Sequence, residues 1–359
     1  MILIRSDGNS CLGSGHIMRC LAIASEFVKQ GEHCVFALAD ESPLELLFAK
    51  GFPVEVLHSD YKHPKSEIYD LSLVIMKYNP KVILVDSYYV DRDYFYMIRQ
   101  ICGGETLIVY IDDLREDVYP CDIVINYEVG SEVLQKNYSI LYRERGVEYC
   151  NFLLGVKYAP LRDEFRGKGL RSIREKVENI LFLTGGADVS HIVLKILAFL
   201  SKNNEFENIQ FHFVIGKLNS DSDQIKKKSD QLTNVYIHEN VSTMSELMLE
   251  ADIAVSAGGT TLYEVCACGT PLIAYTCADN QIEGVKRIVE NTGALNVGDT
   301  RENDTLIEDI FSNIIKLDFE TRKVLSKKEQ LLVDGNGTTK IVKSVKLVCE
   351  QRKKSVRYE

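Results

Sequence analysis

The residue of this sequence best placed for acid–base chemistry is His16, which follows a glycine-rich stretch at the start of a predicted helix. Glycines before a helix let the backbone approach a ligand closely, and the free N–H groups at the helix end attract negative charge. A histidine titrates near neutrality and can act as a general base toward water. His16 could equally cap the helix without taking part in a reaction, so spacing alone leaves both roles open.

The same stretch differs from a dinucleotide-binding fingerprint. Gly13 and Gly15 would fill its first two glycine positions, but Met18 stands where the third glycine permits tight packing of helix on strand. We therefore expect no nicotinamide cofactor, and the sequence indicates no other. No metal is expected, because the histidines lack ligand spacing and the one close cysteine pair, Cys266 and Cys268, lies within a helical pattern without a second pair.

Two more glycine loops follow predicted strands in the second half of the chain. The first is Thr184-Gly185-Gly186-Ala187-Asp188, and the second is Ser256-Ala257-Gly258-Gly259-Thr260-Thr261. In the second loop the glycines leave room for an anionic ligand to approach the backbone, and the threonines offer hydroxyl groups. The next helix presents the positive end of its dipole to that ligand. A diphosphate held in this way needs no metal ion.

Polar side chains near this second loop suit the remaining parts of a nucleotide sugar. Glu264 can accept two hydrogen bonds from a ribose diol, although a solvated carboxylate on a helix face is the commoner interpretation. Asn280 and Gln281 carry amides suited to sugar hydroxyl or acetamido groups, although their segment also fits a turn and helix cap.

The elements that must position these residues alternate between apolar runs and amphipathic helical stretches, the pattern of parallel α/β architecture. Predicted strands cover 2–5, 34–38, 54–57, 82–86, 107–111, 123–126, 180–183, 211–215, 235–237, 253–255 and 272–275. Helical patterns lie between most of these strands, and three more close the chain. The periodicity weakens over 128–174, where the segment LLGVKYAPLRDEF (153–165) predicts an extended connection carrying the break at Pro160.

The 359 residues therefore predict two doubly wound, Rossmann-like α/β lobes in tandem with a cleft between them. The N-terminal lobe, 1–160, carries the His16 loop, and the C-terminal lobe, 161–335, carries the second-half glycine loops. The last segment, 336–359, is expected to form a helix that crosses back to the first lobe, although it could equally be a surface for a partner.

The composition excludes several functional classes. The net charge of −10 argues against nucleic-acid binding and against stable association with an anionic membrane, because both require a basic face. No apolar run approaches the ~20 residues of a membrane-spanning helix. The ten scattered cysteines suit reduced core residues, and the N-terminus lacks a signal-peptide layout, so a cytoplasmic location is expected.

Several motifs together resemble a known family. Arg5-Ser6-Asp7, followed by Leu12-Gly-Ser-Gly-His-Ile-Met-Arg-Cys-Leu-Ala22, resembles the N-terminal signature of the UDP-sugar hydrolases of pseudaminic acid biosynthesis, a group that also contains proteins of spore-coat polysaccharide synthesis. Supporting matches are Asp86-Ser87-Tyr88, Ile111-Asp112-Asp113, Gly155-Val-Lys-Tyr-Ala159 with Arg162 and Phe165, Gly185-Gly-Ala-Asp188, and Asn280-Gln281. The resemblance runs over about residues 1–300, and a related turn extends it to 334–337.

The resemblance implies a GT-B fold whose second lobe is similar to that of the peptidoglycan N-acetylglucosaminyltransferase. It implies hydrolysis of a UDP-linked diacetamido-trideoxyhexose at the anomeric C1–O bond, with inversion and without metal or cofactor. His16 matches the catalytic histidine. The resemblance and the loops together give these substrate contacts: Arg5, Asp7, Gly15, Arg19, Tyr88, Gly185, Gly186, Asp188, Gly258, Gly259, Thr260, Thr261, Glu264, Asn280 and Gln281.

Two departures from the family leave the sugar and the pathway open. Ser87 stands where relatives often carry histidine, and Tyr263 stands where one relative has asparagine. Pseudaminic acid, legionaminic acid and spore-coat glycan pathways all fit. Two alternative functions also fit the sequence: a GT-B glycosyltransferase that uses a UDP-amino sugar donor, and a non-catalytic nucleotide-sugar binding protein.

Overall fold

A computed structural model describes residues 1–9, 12–115, 117–217 and 219–355. The chain forms two compact units, one of Met1–Arg162 with Asn336–Glu359 and the other of Asp163–Gly335. Cys11, one of the cysteines expected to be reduced, lies outside the described residues, and the nine described cysteines are free thiols. Within the described ranges no helix is both long and apolar enough to span a membrane.

The first unit is built on a seven-stranded sheet in which every pairing is parallel, in the order β3-β2-β1-β4-β5-β6-β7. Its strands are β1 (Ile2–Ser6), β2 (Cys34–Leu38), β3 (Val54–Val56), β4 (Val82–Asp86), β5 (Leu107–Ile111), β6 (Ile123–Asn126) and β7 (Asn151–Leu154). The five strands apart from the two at the edges, β3 and β7, are buried along their whole length. Burial on both faces explains why they appear in the sequence as continuous apolar runs.

Six helices belong to this unit: α1 (Gly15–Lys29), α2 (Leu44–Ala49), α3 (Ile68–Tyr78), α4 (Arg92–Cys102), α5 (Gln135–Glu144) and, numbered last in the chain, α13 (Gly337–Ser355). Helix α13 packs against α1 through a side that includes the buried Ile341, Val342 and Val345. Gly337 begins it, where a Cβ atom would lie 2.1 Å from the carbonyl oxygen of Ala159. Only glycine therefore fits this close approach of two backbone segments.

The second unit repeats the plan with six parallel strands in the order β10-β9-β8-β11-β12-β13. They are β8 (Asn179–Leu183), β9 (Gln210–Ile215), β10 (Val235–Glu239), β11 (Ile253–Ala257), β12 (Leu272–Thr276) and β13 (Leu295–Asp299). Its helices are α6 (Ile192–Leu200), α7 (Ser222–Ser229), α8 (Met244–Glu250), α9 (Thr260–Cys268), α10 (Asp279–Thr292), α11 (Leu306–Lys316) and α12 (Phe319–Leu332).

The predicted strands agree with the structure to within two residues at each end, but three elements escaped prediction. Helix α5 and β7 fall in the stretch of weak periodicity. The segment predicted to be an extended connection, 153–165, contains the last two residues of β7 and the short 3₁₀ helices Val156–Tyr158 and Asp163–Phe165. Helix α5 buries only Tyr138 and Tyr142, and its other apolar residues, Ile140 and Leu141, are exposed, so it contributes little to the core. Strand β13 lies at the edge of its sheet and has the mixed sequence LNVGD, which carries little strand signal.

Candidate active site

His16 lies near the first turn of α1, directly above the point where the order of the first sheet reverses. Strand β1 leads into the loop before α1, and β1 pairs with both β2 and β4. Asp86 is the last residue of β4 and stands opposite Ser6, the last residue of β1. In doubly wound sheets, ligands bind outside the carboxyl ends of the strands at such a reversal.

The imidazole of His16 is held by Asp86. His16 Nδ1 lies 2.6 Å from Asp86 Oδ1. An ionised carboxylate only accepts hydrogen bonds, so Nδ1 must donate, and the neutral ring then has its lone pair on Nε2. Among the described residues no group bonds to Nε2. The ring of Tyr88 packs edge-on against the imidazole with centroids 4.3 Å apart, and His16 as a whole is only 4% exposed.

Asp86 remains ionised although it is fully buried. Burial alone would raise its pKa, but the charges of Arg19 and His16 and their hydrogen bonds hold the pKa of Asp86 well below its usual range. Arg19 Nε donates to Asp86 Oδ2 at 2.7 Å, and Arg19 Nη2 contacts Oδ1. An ionised carboxylate next to an imidazole fixes one tautomer and stabilises the imidazolium that forms when the ring takes a proton.

Arg19 itself faces the interior of the unit. Its Nη1 donates to Asp113 Oδ2 and to the hydroxyl of Tyr127, each at 2.6 Å, and the side chain is 4% exposed. The resemblance had implied a substrate contact for Arg19. The structure places its guanidinium among Asp86, Asp113 and Tyr127, which does not test that contact.

Arg5 and Asp7 form a second buried network at the end of β1. Arg5 donates to Glu67 through Nε at 2.5 Å and Nη2 at 2.8 Å, and to Asp7 Oδ1 through Nη1 at 2.5 Å. The hydroxyl of Tyr94 also donates to Glu67, at 2.6 Å. Burial raises the pKa of Asp7, although Arg5 and Ser87 oppose the shift. Arg5 has no exposed surface and supports Asp7 from inside the unit, and the substrate contact predicted for it stays untested.

In the second unit, the loop after β8 lies at the equivalent reversal, beside β11. Gly185 has a φ of 79°, and a Cβ atom on Gly216 would lie 2.3 Å from the carbonyl oxygen of Gly186, so the loops after β8 and β9 touch through their backbones. Asp188 accepts hydrogen bonds from the N–H groups of Ile192 at 2.9 Å and Val193 at 3.0 Å. Its carboxylate therefore caps α6, and the substrate contact predicted for Asp188 stays a prediction.

The start of α9 is formed by a glycine at the N-cap position. Gly259 precedes the helix at a φ of 130°, which glycine tolerates and other residues rarely adopt. Because its N-cap residue is a glycine, that position offers no side chain to cap α9, and no acidic residue lies in the first turn. Thr260 and Thr261 are half-buried at this helix start, as is Glu264 one turn later. The first-turn N–H groups of α9 therefore retain the favourable geometry for an anion.

The two amides predicted to bind sugar differ in their surroundings. Gln281 packs against Gly258, where a Cβ atom would lie 2.6 Å from Gln281 Cβ, and its Oε1 accepts a hydrogen bond from the N–H of Cys277 at 2.9 Å. Gln281 thus braces the loop before α9. Asn280 is exposed at the start of α10. In the first unit, Gly15 is exposed at the start of α1.

Sequence reasoning missed the residues that surround His16. Asp86, Asp113 and Tyr127 each lie at or just after the carboxyl end of a strand. In the separate Arg5 network it missed Glu67, which precedes α3. The signal was present, because Asp86 and Asp113 belong to motifs already noted and adjacent parallel strands end at the same edge of a sheet. In the described ranges no group of three or more histidine, cysteine, aspartate or glutamate side chains is arranged to hold a metal ion.

Two Rossmann-like units, each built on a sheet of parallel strands, define a GT-B α/β fold. The chain superimposes on MurG of Acinetobacter baumannii with a TM-score of 0.64 at 12% identity, covering 96% of this chain and 99% of that one. It superimposes on a UDP co-structure of MnaA of Staphylococcus aureus with a TM-score of 0.61 at 11% identity, covering 97% and 96%. At these identities the likeness concerns the fold.

The sequence comparisons are more specific. Residues 180–345 match the C-terminal domain of glycosyltransferase family 28. An uncharacterised protein of Methanocaldococcus jannaschii is 29% identical over 76% of this chain but only 54% of its own length, so the chain spans about half of that relative. The spore coat polysaccharide biosynthesis protein SpsG of Bacillus subtilis is 22% identical over 97% of this chain and 98% of its own.

Relatives that carry an enzyme name also match. The UDP-2,4-diacetamido-2,4,6-trideoxy-β-L-altropyranose hydrolase of Campylobacter jejuni is 26% identical over 204 residues, which are 56% of this chain and 66% of that enzyme.

Proposed function

We propose that this protein is a nucleotide-sugar hydrolase that needs no metal. Its substrate is a UDP-linked diacetamido-trideoxyhexose, and its products are UDP and the free sugar, used in pseudaminic-type acid or surface polysaccharide synthesis. The observation that carries the proposal is the pairing of His16 with Asp86 at the reversal of the first sheet. The name of the Campylobacter jejuni relative supports the substrate class.

In the proposed reaction, His16 Nε2 removes a proton from a water as that water attacks the anomeric carbon. The new C1–O bond forms on one face while the bond from C1 to the diphosphate breaks on the other, which inverts the configuration. The electron pair of the broken bond leaves with UDP. Asp86 stabilises the resulting imidazolium. A general base contributes about 10²- to 10⁴-fold in rate.

Nucleotide recognition is assigned to the second unit. The diphosphate binds the first-turn N–H groups of α9, with Gly259 giving backbone access and Thr260 and Thr261 adding hydroxyl groups. Glu264 accepts hydrogen bonds from the ribose. The helix start also stabilises the charge that grows on the leaving diphosphate, so this mechanism requires no metal ion. The neighbouring helix α6 is a poor alternative, because Asp188 occupies its N-terminus.

The test is UDP release from UDP-2,4-diacetamido-2,4,6-trideoxy-β-L-altropyranose and related nucleotides, with no acceptor present. We expect UDP release, and NMR of the fresh product should show the inverted anomer. His16→Ala and His16→Asn should lower kcat by about 10²- to 10⁴-fold while UDP affinity by calorimetry stays within about twofold. Near-normal turnover in either variant would remove His16 from the mechanism.

A glycosyltransferase is the second candidate, and the family 28 match over residues 180–345 favours it. A transferase would release UDP at a comparable rate only when a sugar or lipid acceptor is supplied, so the acceptor-free assay separates the two activities. A non-catalytic nucleotide-sugar binding protein would bind the nucleotides by calorimetry and turn none of them over.

A further inference from the structure

We propose that Arg19 is a positioning residue that orients the His16 imidazole through Asp86, and that it does not contact the substrate. The consequence for catalysis rests on the hydrolase function proposed above, whereas the positioning itself concerns only the first unit. Arg19 joins three strand ends, because Asp86 ends β4, Asp113 follows β5 and Tyr127 follows β6.

The first part of the argument is the geometry of the guanidinium. Nε and Nη2 of Arg19 contact the two oxygens of the Asp86 carboxylate, which is the bidentate arrangement that a planar fork favours. This pairing fixes the plane of the carboxylate. Asp86 Oδ1 is thereby presented to His16 Nδ1 at 2.6 Å.

The second part is the anchoring of Arg19 itself. Asp113 Oδ2 and the Tyr127 hydroxyl accept from the remaining terminal nitrogen, Nη1, at 2.6 Å each. Arg19 Nη2 also lies 3.0 Å from His16 Nδ1, and both nitrogens have Asp86 Oδ1 as acceptor. All three nitrogens of the guanidinium thus donate to buried protein acceptors, which hold the side chain in place without a ligand.

The third part is charge. Asp86 is fully buried, and the positive charge of Arg19 is the largest influence that offsets this burial. Without Arg19 the pKa of Asp86 would rise. A protonated or rotated Asp86 could no longer hold the hydrogen on Nδ1, and Nε2 would then carry a proton in part of the molecules. A ring protonated on Nε2 cannot accept the proton of an attacking water through that atom.

The experiment compares Arg19→Gln and Arg19→Lys with wild type in the ligand-free protein. Nitrogen-15 shifts of the His16 ring report which nitrogen carries the hydrogen, and the carbon-13 shift of the Asp86 carboxyl reports its titration. Wild type should show the Nδ1–H form. Arg19→Gln should show mixed tautomers, and its Asp86 should titrate at higher pH. Arg19→Lys keeps the charge but loses the fork, so its tautomers should mix while Asp86 stays ionised.

The matched control is Arg99→Gln, which breaks another arginine–aspartate pair of the same unit. Arg99 Nη2 donates to Asp122 at 2.6 Å. Asp122 precedes β6 and so lies at the amino-terminal end of the strands, whereas Asp86 lies at the carboxyl end of β4. The His16 tautomer should be unchanged in this control. If Arg19→Gln does not fold, as judged by circular dichroism, Arg19→Lys alone decides the tautomer question.

Kinetics supply the second measurement. For a positioning role, kcat should fall by about 10²-fold or more in Arg19→Gln, while KM and UDP affinity stay within about twofold. Unchanged tautomers in the folded variants would overturn the proposal. So would a KM raised more than tenfold with kcat preserved, which is the pattern of a substrate contact. Wild type without hydrolase activity would refute the proposed function only, since the NMR result does not depend on turnover.

Discussion

His16 and Asp86 are 70 positions apart in the chain, yet His16 Nδ1 lies 2.6 Å from Asp86 Oδ1. Their meeting follows from the strand order, which places β4 directly beside β1. The aspartate leaves Nε2 as the basic nitrogen, and the buried setting strengthens the electrostatic effect of the pair.

Asp86→Asn should therefore lower kcat by about 10²- to 10⁴-fold, because an asparagine amide can donate to Nδ1 and shift the hydrogen to Nε2. Steady-state kinetics of UDP release would measure the change, and calorimetry should show UDP affinity close to wild type. Asp113→Asn is the control, since Asp113 contacts Arg19 and not His16. A smaller loss is expected there. Equal losses in both variants would argue against a special role for Asp86.

Gly259→Ala should weaken UDP binding at least tenfold. A side chain at a φ of 130° costs about 1–3 kcal/mol and would shift the first turn of α9. Gly284→Ala is the matched control in α10, where a Cβ atom meets nothing within 4 Å and φ is ordinary. That change should leave UDP affinity unchanged and stabilise the unit by about 0.5–1 kcal/mol. Equal UDP affinities in the two variants would place the diphosphate elsewhere.

Asp188→Ala should act on stability more than on binding. Its carboxylate accepts from the N–H groups of Ile192 and Val193, so removal of this cap should cost about 1–2 kcal/mol in the free energy of unfolding. Urea unfolding would measure the loss. Calorimetry should show UDP affinity within about threefold of wild type once folded protein is compared. A tenfold weaker UDP affinity with unchanged stability would show that Asp188 contacts the ligand.

Glu329 should make the second unit less stable as the pH rises. Burial raises the pKa of Glu329 from 4.5 to about 8, although the N–H of Leu272 and the charge of Arg171 lower it. Between these values the folded state keeps a proton that the unfolded chain releases. Stability therefore falls as pH increases through this window and levels off above it, by up to about 5 kcal/mol in total.

Glu329→Gln removes this titration while keeping an acceptor for the N–H of Leu272. Relative to wild type, the variant should gain stability between about pH 5 and pH 8.5, as measured by denaturant unfolding at both. Glu320→Gln, at an exposed position of the same helix, is the control. A difference between Glu329→Gln and wild type that does not change with pH would show that Glu329 is ionised in the folded protein.

Much of the fold could be predicted from the sequence for a specific physical reason. The central strands are buried on both faces, so each is an uninterrupted apolar run that local inspection finds. The glycine loops could also be predicted from the sequence, because Gly259 and Gly185 occupy backbone conformations that few other residues adopt. By contrast, α5 and β13 make few buried contacts and have correspondingly weak patterns.

The sequence alone determined which residue types lie in the loops and first helical turns that follow the strands, including His16 in α1 and the glycines before α9. Only the tertiary structure decided what each one contacts. It turned Arg5 and Arg19 inward onto buried carboxylates and made Asp188 a helix cap. The reason is that a contact across neighbouring parallel strands depends on strand order, which local sequence patterns do not encode.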